Sequence, residues 1–174
     1  GGSLKNRARI IFEIIDGIRE LCRPGFLLGV RLSPERFDLK LGEVIEVAQQ
    51  LMSDGQIDFL DMSLWDSFKE PVEEAYQGQT LLSYFTNMDR GDVRLGVAGK
   101  IYTPQAARQC LEEGADFVIL GRAAILQHDF PQQVLLNPDF KPATNPVSSE
   151  YLRTQGLGEA FITYMSSWDG FVEE

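Results

Sequence analysis

Apolar residues near the start of the chain recur as Leu4, Ala8, Ile11, Ile15, Ile18 and Cys22, at steps of 4, 3, 4, 3 and 4. That spacing predicts one face of an amphipathic helix, which Pro24-Gly25 stops. The continuous apolar run Phe26 to Leu32 predicts a strand. Leu41, Val44, Ile45, Ala48, Leu51 and Met52 predict a second helix ending near Gly55. Ile57 to Ser63 predicts the next strand. A polar stretch from Asp66 to Gln79 leads into a short helix around Leu81 to Phe85, and Val93 to Val97 and Phe117 to Leu120 read as strands three and four. Between those two, Thr103-Pro104 has the form of a helix cap followed by its first helical residue, and Gly114 closes the helix. The strand starts lie 31, 36 and 24 residues apart, so each gap can hold a crossover helix and the strands should be parallel. Strands covered on both faces read as unbroken apolar runs, as FLLGV and FVIL do. The predicted fold is α/β, entered at a helix, in the order of half a (β/α)₈ layout. Beyond Arg122 the pattern predicts short helices at 123–127, 148–155 and 157–166, with a proline-punctuated connector at 137–146. The expected division is a half barrel over residues 1–136 and a carboxyl-terminal extension over 137–174.

Length and charge narrow this picture. The 174 residues suffice for one core but fall short of the roughly 250 of a complete barrel. A formal charge of −10, with no basic run, argues against a nucleic-acid or anionic-membrane surface. No apolar run approaches the ~18 residues of a membrane span, and no signal peptide is visible, so a cytoplasmic protein is expected. Cys22 and Cys110 lack metal-ligand spacing and are expected to be buried free thiols; no metal site is expected.

The chemistry concentrates in VRLGVAGKIYTPQAARQCLEEGADFVILGR, residues 93–122, a βαβ unit with glycine at the carboxyl end of each strand. Gly99-Lys100 and Gly121-Arg122 could bring backbone N–H groups and a guanidinium onto a phosphate, because no Cβ blocks close approach. The alternative is that these glycines only terminate strands. Arg31 sits inside an apolar run and needs a partner or a purpose; a rim salt bridge with Glu35 or Asp61 would supply the first. Trp65 falls in a loop after a strand, where it could pack locally or wall a pocket. His128, the single histidine, lies in a polar turn and reads as a surface residue. The terminal aromatics Tyr151, Phe161, Tyr164, Trp168 and Phe171 read best as core.

Five blocks, in order, resemble the carboxyl-terminal half of the Old Yellow Enzyme family of FMN-dependent NADH:flavin oxidoreductases and ene-reductases. GGSLKNRAR is similar to that family's stretch after the fourth barrel strand, GVRLSP to its fifth strand and turn, and IDFLDMSLWD to its sixth strand. VAGKIYTPQAA and ADFVILGRAAI are similar to the seventh and eighth. The resemblance makes Gly1-Gly2-Ser3 native chain rather than an expression scar. It implies a TIM-barrel flavoprotein with FMN as cofactor, NAD(P)H as electron donor and a small-molecule substrate. It places Arg31 against the flavin N1/C2 carbonyl edge, and Gly99, Lys100, Gly121 and Arg122 on the flavin phosphate. Substrate clamp and proton donor would come from strands ahead of residue 1, so the partner of this chain would be the amino-terminal half or another copy. Two rivals remain: a different phosphate-binding barrel enzyme, and a non-catalytic half-barrel interaction module.

Overall fold

The computed structural model describes residues 1–173. The elements run α1 (Leu4–Leu21), β1 (Gly29–Leu32), α2 (Leu41–Ser53), β2 (Phe59–Ser63), a 3₁₀ turn (Glu74–Tyr76), α3 (Leu81–Thr86), β3 (Arg94–Ala98), α4 (Pro104–Glu112), β4 (Phe117–Val118), α5 (Arg122–Leu126), α6 (Phe130–Leu136), α7 (Ser149–Thr154) and α8 (Glu159–Ser166). Cap chemistry sets several of these starts. Ser3, Thr80 and Ser148 each accept a hydrogen bond from a backbone N–H three residues on. Thr103 does the same for Ala106 at 3.1 Å, immediately ahead of Pro104.

The strands form one parallel sheet in the order β1-β2-β3-β4, as the crossover spacing requires. Strand alternation divides the sheet into two unlike faces. Val30, Leu60, Met62, Leu95 and Val97 occupy one face and are all buried. Each contributes roughly 1.5–3 kcal/mol relative to an exposed side chain. The other face carries Gly29 and Arg31 from β1, Phe59 and Asp61 from β2, Gly96 from β3 and Phe117 from β4. There the two phenylalanine rings meet edge to face, with centroids 5.9 Å apart. Each also lies over a glycine of the preceding strand. A Cβ at Gly29 would stand 2.1 Å from the Phe59 ring, and one at Gly96 would stand 2.3 Å from the Phe117 ring. Glycine is needed at both because the ring occupies the space of its side chain.

The amino edge of the sheet is tied by two aspartates used in the same way. Asp58 donates its N–H to Leu28 O and accepts from Leu28 N and Arg19 Nη2. Asp116 donates its N–H to Leu95 O and accepts from Leu95 N, Arg90 and Arg94. The Leu28 N–H, then the Arg19 guanidinium, hold the Asp58 carboxyl below its ordinary range. Burial pushes the Asp116 carboxyl up, but the Leu95 N–H and the two guanidiniums outweigh it and the net shift is downward.

The chain forms two compact units. The first, residues 1–99 with 110–119, contains the sheet. The second comprises residues 100–109 and the chain from Leu120 onward. Its core is Leu126, Val147, Leu152, Ile162, Met165 and Phe171, with Tyr102, Ile125, Tyr151, Leu157 and Val172 around it. Val147 and Val172 form an isolated parallel bridge there.

Several expectations need correction. The strands are shorter than their apolar runs: Phe26 and Leu27 precede the first ladder and are exposed, and β4 has only two residues. Helix α6 was not expected, because the sequence there shows little periodicity; Leu135 and Leu136 project into solvent. Cys22 caps the end of α1 and is only half-buried, whereas Cys110 is buried. Of the terminal aromatics only Phe171 is in the core. Phe161, Tyr164 and Trp168 form an exposed ladder of ring contacts along and beyond α8, since a helix packed on one side leaves its other side in water. Among the described residues no helix is long and apolar enough to cross a membrane.

Candidate active site at the carboxyl edge

Among the described residues, four other than glycine have positive φ: Phe37 (62°), Asp38 (61°), Trp65 (64°) and Lys100 (50°). All four follow the carboxyl ends of β1, β2 and β3. A side chain in this conformation carries roughly 1–2 kcal/mol of steric strain. Strain held by the surrounding structure concentrates at functional sites, and parallel βα folds place their sites at this edge.

Arg31 ends β1 on the glycine–aromatic face, directly opposite Asp61. Its Nε donates to Asp61 Oδ2 at 2.6 Å. Of the two carboxylates the sequence offered, the ion pair selects Asp61; Glu35 instead accepts from Lys69 at 2.6 Å. The Arg31 side chain remains 59% exposed, and among the described residues no acceptor takes its terminal Nη nitrogens.

Trp65 lies in a tight turn closed by Asp66 N–H on Leu64 O at 2.7 Å, with its positive φ at the centre. The Arg36 guanidinium carbon stands 3.5 Å from the centroid of its ring, a cation–π contact. Trp65 therefore covers Arg36, not Arg31, and keeps 43% of its surface exposed.

Gly99 follows β3. A Cβ there would come within 2.8 Å of Ser67 N and 3.0 Å of Asp66 N, so the loop after β2 lies against this glycine. Ser67, buried and missed in the sequence, fastens that loop: both its N–H and its hydroxyl donate to Gly99 O. A lone serine in a polar loop carries no periodic or motif signal. Burial pushes the nearby Cys110 thiol up to about 11, against the opposing Ser67 hydrogen bond, which leaves it protonated and inert at neutral pH.

In the second unit Gly121 precedes α5, and a Cβ there would meet nothing within 4 Å, so its backbone is open to approach. Arg122 stands with its guanidinium carbon 5.3 Å from the Tyr102 ring centroid, and no carboxylate pairs with it among the described residues. A ring contact holds a guanidinium without consuming its donors, so the hydrogen bonds of Arg122 remain free for an anion. Tyr102 was not singled out in the sequence. His128 is exposed and contacts Gln155 through Nδ1.

In the first unit, a cation whose terminal donors have no acceptor among the described residues suits a planar pair of acceptors. In the second unit, taken by itself, an open glycine beside a guanidinium that no carboxylate pairs with among the described residues suits a phosphate. Known proteins point the same way. Residues 1–137 match the NADH:flavin oxidoreductase / NADH oxidase family. The chain is 25% identical over 193 residues to the NADH-dependent flavin oxidoreductase iccE of Talaromyces variabilis, covering 97% of this chain and 46% of that protein. It is 26% identical over 141 residues to the probable NADH-dependent flavin oxidoreductase YqiG of Bacillus subtilis (strain 168), covering 77% and 38%. Among solved structures it is similar to morphinone reductase in complex with tetrahydroNAD. The TM-score is 0.60 at 26% identity, over 87% of this chain and 39% of that one. The chain thus spans less than half the length of the relatives it matches.

Proposed function

The chain belongs to the NADH:flavin oxidoreductase / NADH oxidase family, the Old Yellow Enzyme family of flavoproteins, whose cofactors are FMN and NAD(P)H; on that premise we propose that it forms the flavin-binding, carboxyl-terminal half of a TIM-barrel ene-reductase. In this reading β1 to β4 are strands five to eight, residues 1–136 are the half barrel and 137–174 its extension. The first four strands come from an amino-terminal half or from another copy, and the assembled enzyme works in the cytoplasm. When bound, FMN would supply hydride-transfer chemistry between NAD(P)H and a small-molecule oxidant, an activated alkene in this proposal.

The residues of this chain bind and tune. Arg31 would hold the flavin at its N1/C2 carbonyl edge through its terminal nitrogens, where its charge would favour the reduced, anionic ring. Backbone N–H groups of Gly99 and Lys100, and separately of Gly121 and Arg122, serve the phosphate. The Arg122 side chain adds a charge-assisted bond, while the Tyr102 ring limits its motion. Trp65, braced by Arg36, walls the substrate pocket. None of these residues supplies the proton that completes the reduction, so the isolated chain is not a competent reductase.

The observation that carries this reading is Arg31: a cation at the carboxyl edge, fixed by one nitrogen and free at the other two. Arg31→Ala in the flavin-loaded protein should weaken FMN binding by about tenfold or more, the value of one charge-assisted hydrogen bond. It should also slow flavin reduction by NAD(P)H. Unchanged affinity and reduction rate would refute the assignment.

A further inference from the structure

Arg31 and Asp61 use only one of the bonds available to them. Nε donates to Oδ2 at 2.6 Å, the terminal nitrogens have no acceptor among the described residues, and Asp61 Oδ1 is buried without a hydrogen-bond partner. A guanidinium–carboxylate pair formed for attraction alone would close as a two-bond fork, which also satisfies both oxygens. Here the second oxygen goes without, although leaving a buried acceptor unmade is costly. The surroundings hold the arrangement. The two residues face each other in register on parallel strands, and the neighbouring position on β3 is Gly96, which contributes no side chain. Only 13% of the Asp61 side chain is exposed, against 59% of Arg31, so the carboxylate is the fixed member of the pair and the arginine the presented one.

We infer that Asp61 is a positioning residue: it pins Arg31 through Nε, so that the two terminal nitrogens are offered together to a planar pair of acceptors. This rests on the reading above, in which those acceptors belong to the flavin's N1/C2 carbonyl edge. The carboxylate has a second effect of opposite sign. Its negative charge beside the guanidinium offsets part of the field that favours the reduced flavin, so Asp61 both aims Arg31 and moderates it.

The two effects separate under substitution in the flavin-loaded protein. Asp61→Ala removes pin and charge together. It should weaken FMN binding about tenfold, as loss of one charge-assisted bond does, and lower the flavin midpoint potential toward that of Arg31→Ala. Asp61→Asn keeps an acceptor for Nε and removes the charge. It should hold FMN affinity within about threefold of wild type and raise the potential. Affinity is read by titrating the apoprotein with FMN, and potential by spectroelectrochemistry. A purely structural Asp61 would lower the melting temperature and leave the potential of both variants at the wild-type value; that result overturns the inference. If Asp61→Ala does not fold, the Asn variant decides alone, an upward shift supporting the inference and an unshifted potential overturning it. A silent Arg31→Ala would overturn the reading of Arg31 itself, whereas an effect at Arg31 with both Asp61 variants silent overturns only the role of Asp61.

Discussion

At the amino edge of the sheet every strand is preceded, three or four residues earlier, by a glycine at positive φ: Gly25, Gly55, Gly91 and Gly114. At the carboxyl edge the left-handed positions belong to Phe37, Asp38, Trp65 and Lys100. The conformational demand is the same, but the amino edge meets it with the residue that adopts it freely and the carboxyl edge with residues that do not. The ion pairs differ in parallel. Asp58 and Asp116 repeat one stitch, bonding the backbone N–H of a neighbouring strand and one or more arginines. Among the described residues, Asp61 holds a single arginine and leaves one oxygen without a partner. The amino edge satisfies its carboxylates with several donors each, whereas at the carboxyl edge, among the described residues, Asp61 keeps one oxygen and Arg31 its terminal nitrogens without a partner.

The largest break in this comparison should come from the repeated glycine–phenylalanine contact between the edges. Gly29→Ala and Gly96→Ala each drive a Cβ into an aromatic ring and should cost about 1–3 kcal/mol or more by denaturant titration. The loss should be recovered in part by Phe59→Leu or Phe117→Leu respectively. If alanine is tolerated at both without loss, the aromatic face is not close-packed as described.

Next come the stitches. Asp116→Asn should destabilise by about 1–2 kcal/mol. Asp58→Asn should cost less, because its carboxylate is more exposed and better screened. Both carboxyls lie below their ordinary value in the folded chain. Their contribution is therefore complete above the unfolded pKa of ~3.9 and lost as pH falls through the depressed folded values. Stability measured from pH 5 down to pH 2 should decline less steeply in the Asp58→Asn/Asp116→Asn double variant than in wild type.

A smaller effect tests the edges against each other. Gly55→Ala places a side chain at φ 64° with nothing within 4 Å to hinder it, so its cost of about 1 kcal/mol should be conformational alone. Phe37→Gly relieves φ 62° at a side chain that is 80% exposed and should raise stability by up to about 1 kcal/mol. Equal signs for the two substitutions would remove the distinction between the edges.

The smallest expected effect concerns Cys110. With its thiol raised to about 11, its contribution is present below the unfolded value of ~8.5 and is lost as pH rises through the folded value. At pH 8 Cys110 should react with a thiol reagent far more slowly than the half-buried Cys22; equal rates would contradict the burial.

Much of the fold was legible because it depends on local periodicity and punctuation. The 4-3-4-3-4 apolar steps give α1, Thr103-Pro104 starts α4, and the crossover spacing gives parallel strands. The strand ends were overrun because an apolar run does not say where its neighbour's ladder begins. The aspartates at 58 and 116 each precede phenylalanine shortly after a glycine, a repeat visible in the chain, yet its meaning needed the register between strands. Arg31, Gly99, Lys100, Gly121 and Arg122 were found as a charge or a glycine at the end of an apolar run, a signal that names candidates and assigns no partners. Asp61 was one of two possible partners for Arg31. Ser67 and Tyr102 carried no signal at all.

The amino-acid order alone thus settled the four strands and the helices between them, the parallel sense of the sheet and the family, though not helix α6, since each depends on residues near one another or on motifs read in line. The tertiary structure alone decided that Arg31 faces Asp61 and keeps its terminal nitrogens without an acceptor among the described residues, that Gly99 is a seat for Ser67, and that Arg122 lies beside Tyr102. Those pairings join positions twenty to thirty-two residues apart, and only strand register and side-chain packing determine which atoms meet.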